Sequence, residues 1–60
     1  MLPSDPFILL SYVNTKLRDE YPSLDELCDS LNESREALEE TLSKVGCVYS
    51  PEHNAFVTRA

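Results

Sequence analysis

Tryptophan is absent from these 60 residues, and glycine, histidine and methionine occur once each. A single glycine can build neither a glycine-rich phosphate loop nor the sharp strand-to-helix turn of a nucleophile elbow. The one histidine, His53, and the two cysteines, Cys28 and Cys47, fall short of the four ligands of a structural zinc site. Their separations of 19 and 6 residues match no finger pattern. No apolar run approaches the ~20 residues that span a bilayer, and Met1-Leu2-Pro3-Ser4-Asp5 lacks the basic end and apolar stretch of an export signal. A cytoplasmic location is therefore expected, with both cysteines acting as small reduced hydrophobes. Basic residues are also scarce, five against eleven acids, for a net charge of −6 that repels phosphate backbones and anionic membranes.

What remains suffices for one modest core, since an apolar share of 42% lies above the range of disordered chains. The chain reads as a single domain over residues 1–60. Asp5 before Pro6 is a strong helix start, because the carboxylate accepts from free amides and proline has no amide to leave unpaired. The first helix is predicted over residues 6–21, ended by Pro22. Ser23-Leu24-Asp25-Glu26 matches a capping box opening a second helix over 24–31, with Leu24, Leu27, Cys28 and Leu31 on one face. Ser34 caps a third helix over 35–45, and Gly46 sits where a left-handed residue closes it. Cys47-Val48-Tyr49 and Ala55-Phe56-Val57 are rich in strand formers and flank the turn-type loop Ser50-Pro51-Glu52-His53-Asn54, giving a hairpin over 47–57. Thr58-Arg59-Ala60 reads as a frayed tail.

The fold class is thus mainly α, or small α+β: a helix-turn-helix-like core followed by a hairpin, winged-helix-like in outline. The charge opposes the usual use of such a core. Residues 23–45 hold seven acids (Asp25, Glu26, Asp29, Glu33, Glu36, Glu39, Glu40) against Arg35 and Lys44. Projecting the third helix at about 100° per residue puts Ala37, Leu38, Thr41, Leu42 and Val45 toward the core and Glu36, Glu39, Glu40 and Ser43 outward. A DNA reader needs donors and positive charge on that outward face. Nucleic acid is not expected as a partner; the alternative reading is a nucleic-acid-binding domain that uses Lys16, Arg18 and Arg35 instead.

The first helix carries more apolar surface than one face holds. Phe7, Leu9, Leu10, Val13, Leu17 and Tyr21 form a broad core stripe, while Ile8 and Tyr12 point away from it. Either Leu2, Pro3 or the hairpin covers that second patch, or another molecule meets it. Ile8 and Tyr12 are the candidate protein-contact residues, for a partner or a second copy of the chain. Lys16 and Arg18 are the candidate contacts for an anionic group, set against a plain solvated face compensated by Asp19 and Glu20. Asn14, on the edge of the core stripe, is expected to bond the backbone of a neighbouring element. His53 reads as a solvated turn residue, and no catalytic residue, metal, cofactor or small-molecule substrate is expected.

The runs Met1-Leu2-Pro3 with Asp5-Pro6, Leu9-Leu10-Ser11, Val13-Asn14-Thr15-Lys16-Leu17-Arg18-Asp19, Ser23-Leu24-Asp25 with Leu27-Cys28, and Gly46 with Tyr49 and Asn54-Ala55-Phe56-Val57 resemble a family of short bacterial proteins, domain of unknown function 4250. The likeness covers nearly the whole chain. Val13 to Asp19 is its most specific part, because amphipathicity alone does not dictate that run. The resemblance implies a stand-alone bacterial, cytosolic protein with no assigned activity, and it carries over no functional residue. The expected function is a small non-enzymatic interaction or regulatory module that binds protein.

Overall fold

A computed structural model describes residues 2–59, leaving Met1 and Ala60 outside the described residues. Three helices, α1 (Pro6–Asp19), α2 (Leu24–Leu31) and α3 (Arg35–Ser43), precede an antiparallel hairpin of β1 (Cys47–Ser50) and β2 (Ala55–Thr58). The strands pair Cys47 with Thr58, Val48 with Val57, Tyr49 with Phe56 and Ser50 with Ala55.

Each helix begins on its expected cap. The Asp5 carboxylate accepts from Ile8 N–H at 3.0 Å, Ser23 Oγ from Glu26 N–H at 3.2 Å, and Ser34 Oγ from Ala37 N–H at 3.3 Å. Replacing such a cap by alanine typically costs about 1 kcal/mol. At Ser23 only the hydroxyl half of the capping box forms among the described residues.

The helix ends differ from the sequence reading. α1 closes at Asp19 rather than Tyr21, because Glu20 and Tyr21 both donate to the Lys16 carbonyl, at 2.8 and 3.0 Å, and the regular ladder ends there. α3 closes at Ser43 rather than Val45. Lys44, Val45 and Gly46 donate three residues back, to Thr41, Leu42 and Ser43, so the last turn tightens out of α geometry. Gly46 then adopts φ +75° and turns the chain into β1; a Cβ there would meet nothing within 4 Å, so only the backbone conformation asks for glycine. α2 ends on Asn32 at φ +56°, with Glu33 N–H donating to the Cys28 carbonyl at 2.8 Å.

One core unites every element: Leu9, Val13 and Leu17 from α1, Leu24, Leu27 and Cys28 from α2, Leu38 and Leu42 from α3, Cys47 from β1 and Phe56 from β2. Fully burying a leucine or valine side chain is worth about 1.5–3 kcal/mol. Leu24, Leu27, Leu42 and Val13 are the most deeply enclosed. Ala37, expected on the core side of α3, is exposed and lies on the rim of a shallow groove shared with Leu2, Pro3 and Thr41. The frayed tail is corrected too, since Thr58 belongs to β2 and Arg59 N–H donates to the Gly46 carbonyl at 2.7 Å.

Candidate functional site

The cap at Asp5 and the proline at the first helical position fix where α1 starts, and Leu9, Val13 and Leu17 fix how it is rotated. That narrow stripe, one residue per turn, decides the rest of the helix. Phe7 lies two positions before Leu9, about 200° around the axis, and is 66% exposed. Tyr12 precedes Val13 by one position and rests half-buried against the core. The two aromatics therefore exchange the places the broad-stripe projection gave them. Ile8 is 60% exposed, as that projection placed it.

Beside Ile8 runs an apolar groove of about 460 Å³ lined by Pro3, Ile8, Ser11, Tyr12, Thr15 and Lys16. The Lys16 ammonium stands 5.6 Å from the centre of the Tyr12 ring and 2.6 Å from Glu20 Oε2. Its hydrogen bond to Glu20 raises its pKa above the ordinary lysine value. Arg18 grips the neighbouring carboxylate with two prongs, Nε to Asp19 Oδ1 at 2.9 Å and Nη2 to Asp19 Oδ2 at 3.1 Å, and this contact lowers the Asp19 pKa. Arg35 reaches Asp25 at 2.7 Å and Glu39 at 3.4 Å, with its guanidinium 5.5 Å from the Tyr49 ring centre. All three bases named for an anionic partner thus hold carboxylates.

A second cleft, about 520 Å³, opens between α1 and the hairpin turn and is lined by Asn14, Thr15, Leu17, Arg18, His53, Asn54 and Ala55. Its polar groups are engaged in holding the fold. Asn14 Nδ2 donates to the Phe56 carbonyl at 3.0 Å, and Asn14 Oδ1 accepts from Phe56 N–H at 2.7 Å, the backbone bond expected of it. Asn54, at φ +50°, donates to the carbonyls of Leu17 and Tyr21 at 3.1 and 2.9 Å and accepts from Tyr49 Oη at 2.7 Å. His53 Nδ1 lies 3.0 Å from Ser50 Oγ on the exposed turn. Among the described residues, no three of His, Cys, Asp or Glu are grouped to hold a metal ion. Cys28 and Cys47 are free and buried, and desolvation pushes the Cys28 thiol above its usual pKa.

Two exposed residues escaped sequence reasoning altogether. Val48 and Val57 pair on the outward face of the hairpin, 39% and 38% exposed. Each directly neighbours a buried strand residue, Cys47 or Phe56, and successive side chains of a strand face opposite ways. No described helix is long and apolar enough to cross a membrane. A family model matches residues 3–56, and its description is domain of unknown function (DUF4250). No curated protein and no solved structure matches the chain.

Proposed function

We propose that this chain, which belongs to the family described as a domain of unknown function (DUF4250), is a small interaction module that binds protein through the first half of α1. One observation carries the reading. Phe7 and Ile8 stand side by side and open to solvent on a turn whose start is capped and whose opposite face is locked into the core. Apolar side chains displayed on an already ordered helix bind with little further loss of conformational entropy. The groove formed with Pro3 and Tyr12 gives a partner's apolar side chain a place to seat.

The cations support protein over nucleic acid. Lys16, Arg18 and Arg35 would each have to give up a carboxylate to reach a phosphate, beside a pair of helices whose residues carry a net −5. Two free, buried thiols suit a reducing compartment, and the reading places the module in the cytoplasm.

Capture of partners on the immobilised chain, compared between wild type and Phe7→Ser/Ile8→Ser, tests the reading. Loss of a bound protein from a variant that keeps its helical circular dichroism is the expected result. Retention of every partner by the variant would sink it. Salt-sensitive retention of the wild-type chain on DNA or RNA columns would put the nucleic-acid alternative in its place.

A further inference from the structure

Before Asp5 caps α1, the chain passes across the start of that helix. Leu2 is half-buried and packs on the core. It shares with Leu9 a groove of about 290 Å³ whose far wall is Ala37, Leu38 and Thr41 of α3. Pro3 lines this groove and also the one beside Ile8 and Tyr12. Ile8 and Leu9 are consecutive on α1, so the two grooves lie on adjoining flanks of the helix, about 100° apart. The segment of residues 2–4 stands between them.

Little holds that segment in place. Among the described residues, Leu2, Pro3 and Ser4 take part in no hydrogen bond or ion pair. Hydrogen bonding starts at Asp5, whose carboxylate accepts from Ile8 N–H and whose carbonyl accepts from Leu9 N–H. The anchor is therefore one half-buried leucine, and the hinge falls at exposed Ser4, just before the fixed cap. Half-burying a leucine gains free energy of the same order as the entropy lost in ordering a few residues of backbone. Seated and lifted forms of the segment thus lie close in free energy.

We propose that residues 2–4 are a strap that occludes the α1–α3 groove, and that a protein partner docks on the form in which the strap is lifted. The proposal rests on the reading of α1 as a protein-binding helix and adds regulation to it. Lifting takes Pro3 out from between the grooves, and Ile8, Tyr12 and Leu9 then line one trough with Leu38. Leu2 is the template for what seats there, since Leu2-Pro3-Ser4 carries no charge. The partner supplies a leucine-sized aliphatic side chain on an uncharged stretch, and it binds less tightly by the fraction of chains whose strap is seated.

Nile red, a neutral dye that brightens in apolar surroundings, probes the groove on the whole chain. Leu2→Ser should bind it at least about twofold more tightly than wild type, and Leu2→Met should return to the wild-type value. The melting midpoint of Leu2→Ser should fall by no more than about 5 °C, because a strap near balance adds little to stability. A protein captured through Phe7 and Ile8 should bind Leu2→Ser about two- to tenfold more tightly. Equal dye binding by Leu2→Ser and wild type, or a larger fall in midpoint, overturns the strap and marks Leu2 as an ordinary part of the core. A captured protein that binds both chains equally overturns its use of the lifted form. The expected dye result with no captured protein at all overturns the reading of α1 and leaves the strap standing.

Discussion

Asn14 pairs with Phe56 as a neighbouring strand would, its carboxamide giving one hydrogen bond and taking one from the same residue's backbone. Because Phe56 points both polar groups toward α1, it cannot also point them at β1. The Tyr49–Phe56 pair is therefore the non-hydrogen-bonded kind, with the two rings 5.6 Å apart and tilted at 57°. A single side chain does the work of a third strand, at 42 residues' remove in sequence.

Asn14→Leu is expected to cost about 1–3 kcal/mol, because it strands a part-buried amide and carbonyl of Phe56 without partners. A domain of this size should then melt several degrees lower, at about 4–8 °C per kcal/mol. Asn14→Asp keeps the acceptor and loses the donor. Its carboxylate would face the Phe56 carbonyl, so its pKa rises on folding, and stability should recover as pH falls and the proton restores a donor. Thermal melts of both variants between neutral and mildly acid pH check the sign.

Asn54 combines a left-handed backbone with three side-chain hydrogen bonds. Asn54→Gly keeps the backbone freedom and loses the bonds; Asn54→Ala loses both. Alanine should therefore be the worse substitution, by about 1–2 kcal/mol, the usual penalty for a Cβ in that region. Urea titration of the two variants measures the difference.

Phe7 and Ile8 touch the fold little, whereas Tyr12 packs on it. Phe7→Ser and Ile8→Ser should change stability by no more than about 0.5 kcal/mol, as exposed substitutions generally do. Tyr12→Ser should destabilise measurably, and Tyr12→Phe should restore most of the loss. Unfolding midpoints of the three sites separate display from packing.

The Arg18–Asp19 pair gives a pH signature. Because Arg18 lowers the Asp19 pKa, the pair's contribution is present above the unfolded aspartate pKa and is lost as pH falls through the lower folded value. Arg18→Gln should move the Asp19 titration back up with almost no change in melting temperature at neutral pH, since exposed pairs contribute little. Carboxyl carbon shifts followed by NMR report the movement.

Cys28 lies within the core with its pKa raised by desolvation, so its thiolate is scarce in the folded chain. Labelling by an alkylating reagent should be slow under native conditions and should accelerate with added denaturant in step with unfolding. Fast labelling of the folded chain would contradict the burial.

Much of this was legible because polar residues sat where only one use fits them. Asp5, Ser23 and Ser34 announced three helix starts, and Asn14 on an apolar stripe announced a backbone partner, though not that the partner was Phe56. Gly46 announced positive φ, which it adopts, as Asn54 does in its turn-type loop. The exchange of Phe7 and Tyr12 was not legible. A helical projection gives angles around one axis, but the width of the buried stripe depends on where α2, α3 and the hairpin stop covering α1. The tightened last turn of α3 was hidden too, since Val45 continues the apolar spacing whether or not the ladder keeps its α geometry. Val48 and Val57 sit in runs that are apolar throughout, Cys47-Val48-Tyr49 and Ala55-Phe56-Val57, so the sequence does not say which of them face outward.

The unequal division of acid between the two halves also gives the molecule a heading. In any electric field it behaves as a dipole. A positively charged surface, whether an exchange resin or a basic protein, would draw it in with the acidic residues of α2 and α3 leading. Such a surface therefore holds the chain by α2 and α3 rather than by the first turn of α1, where Phe7 and Ile8 stand exposed.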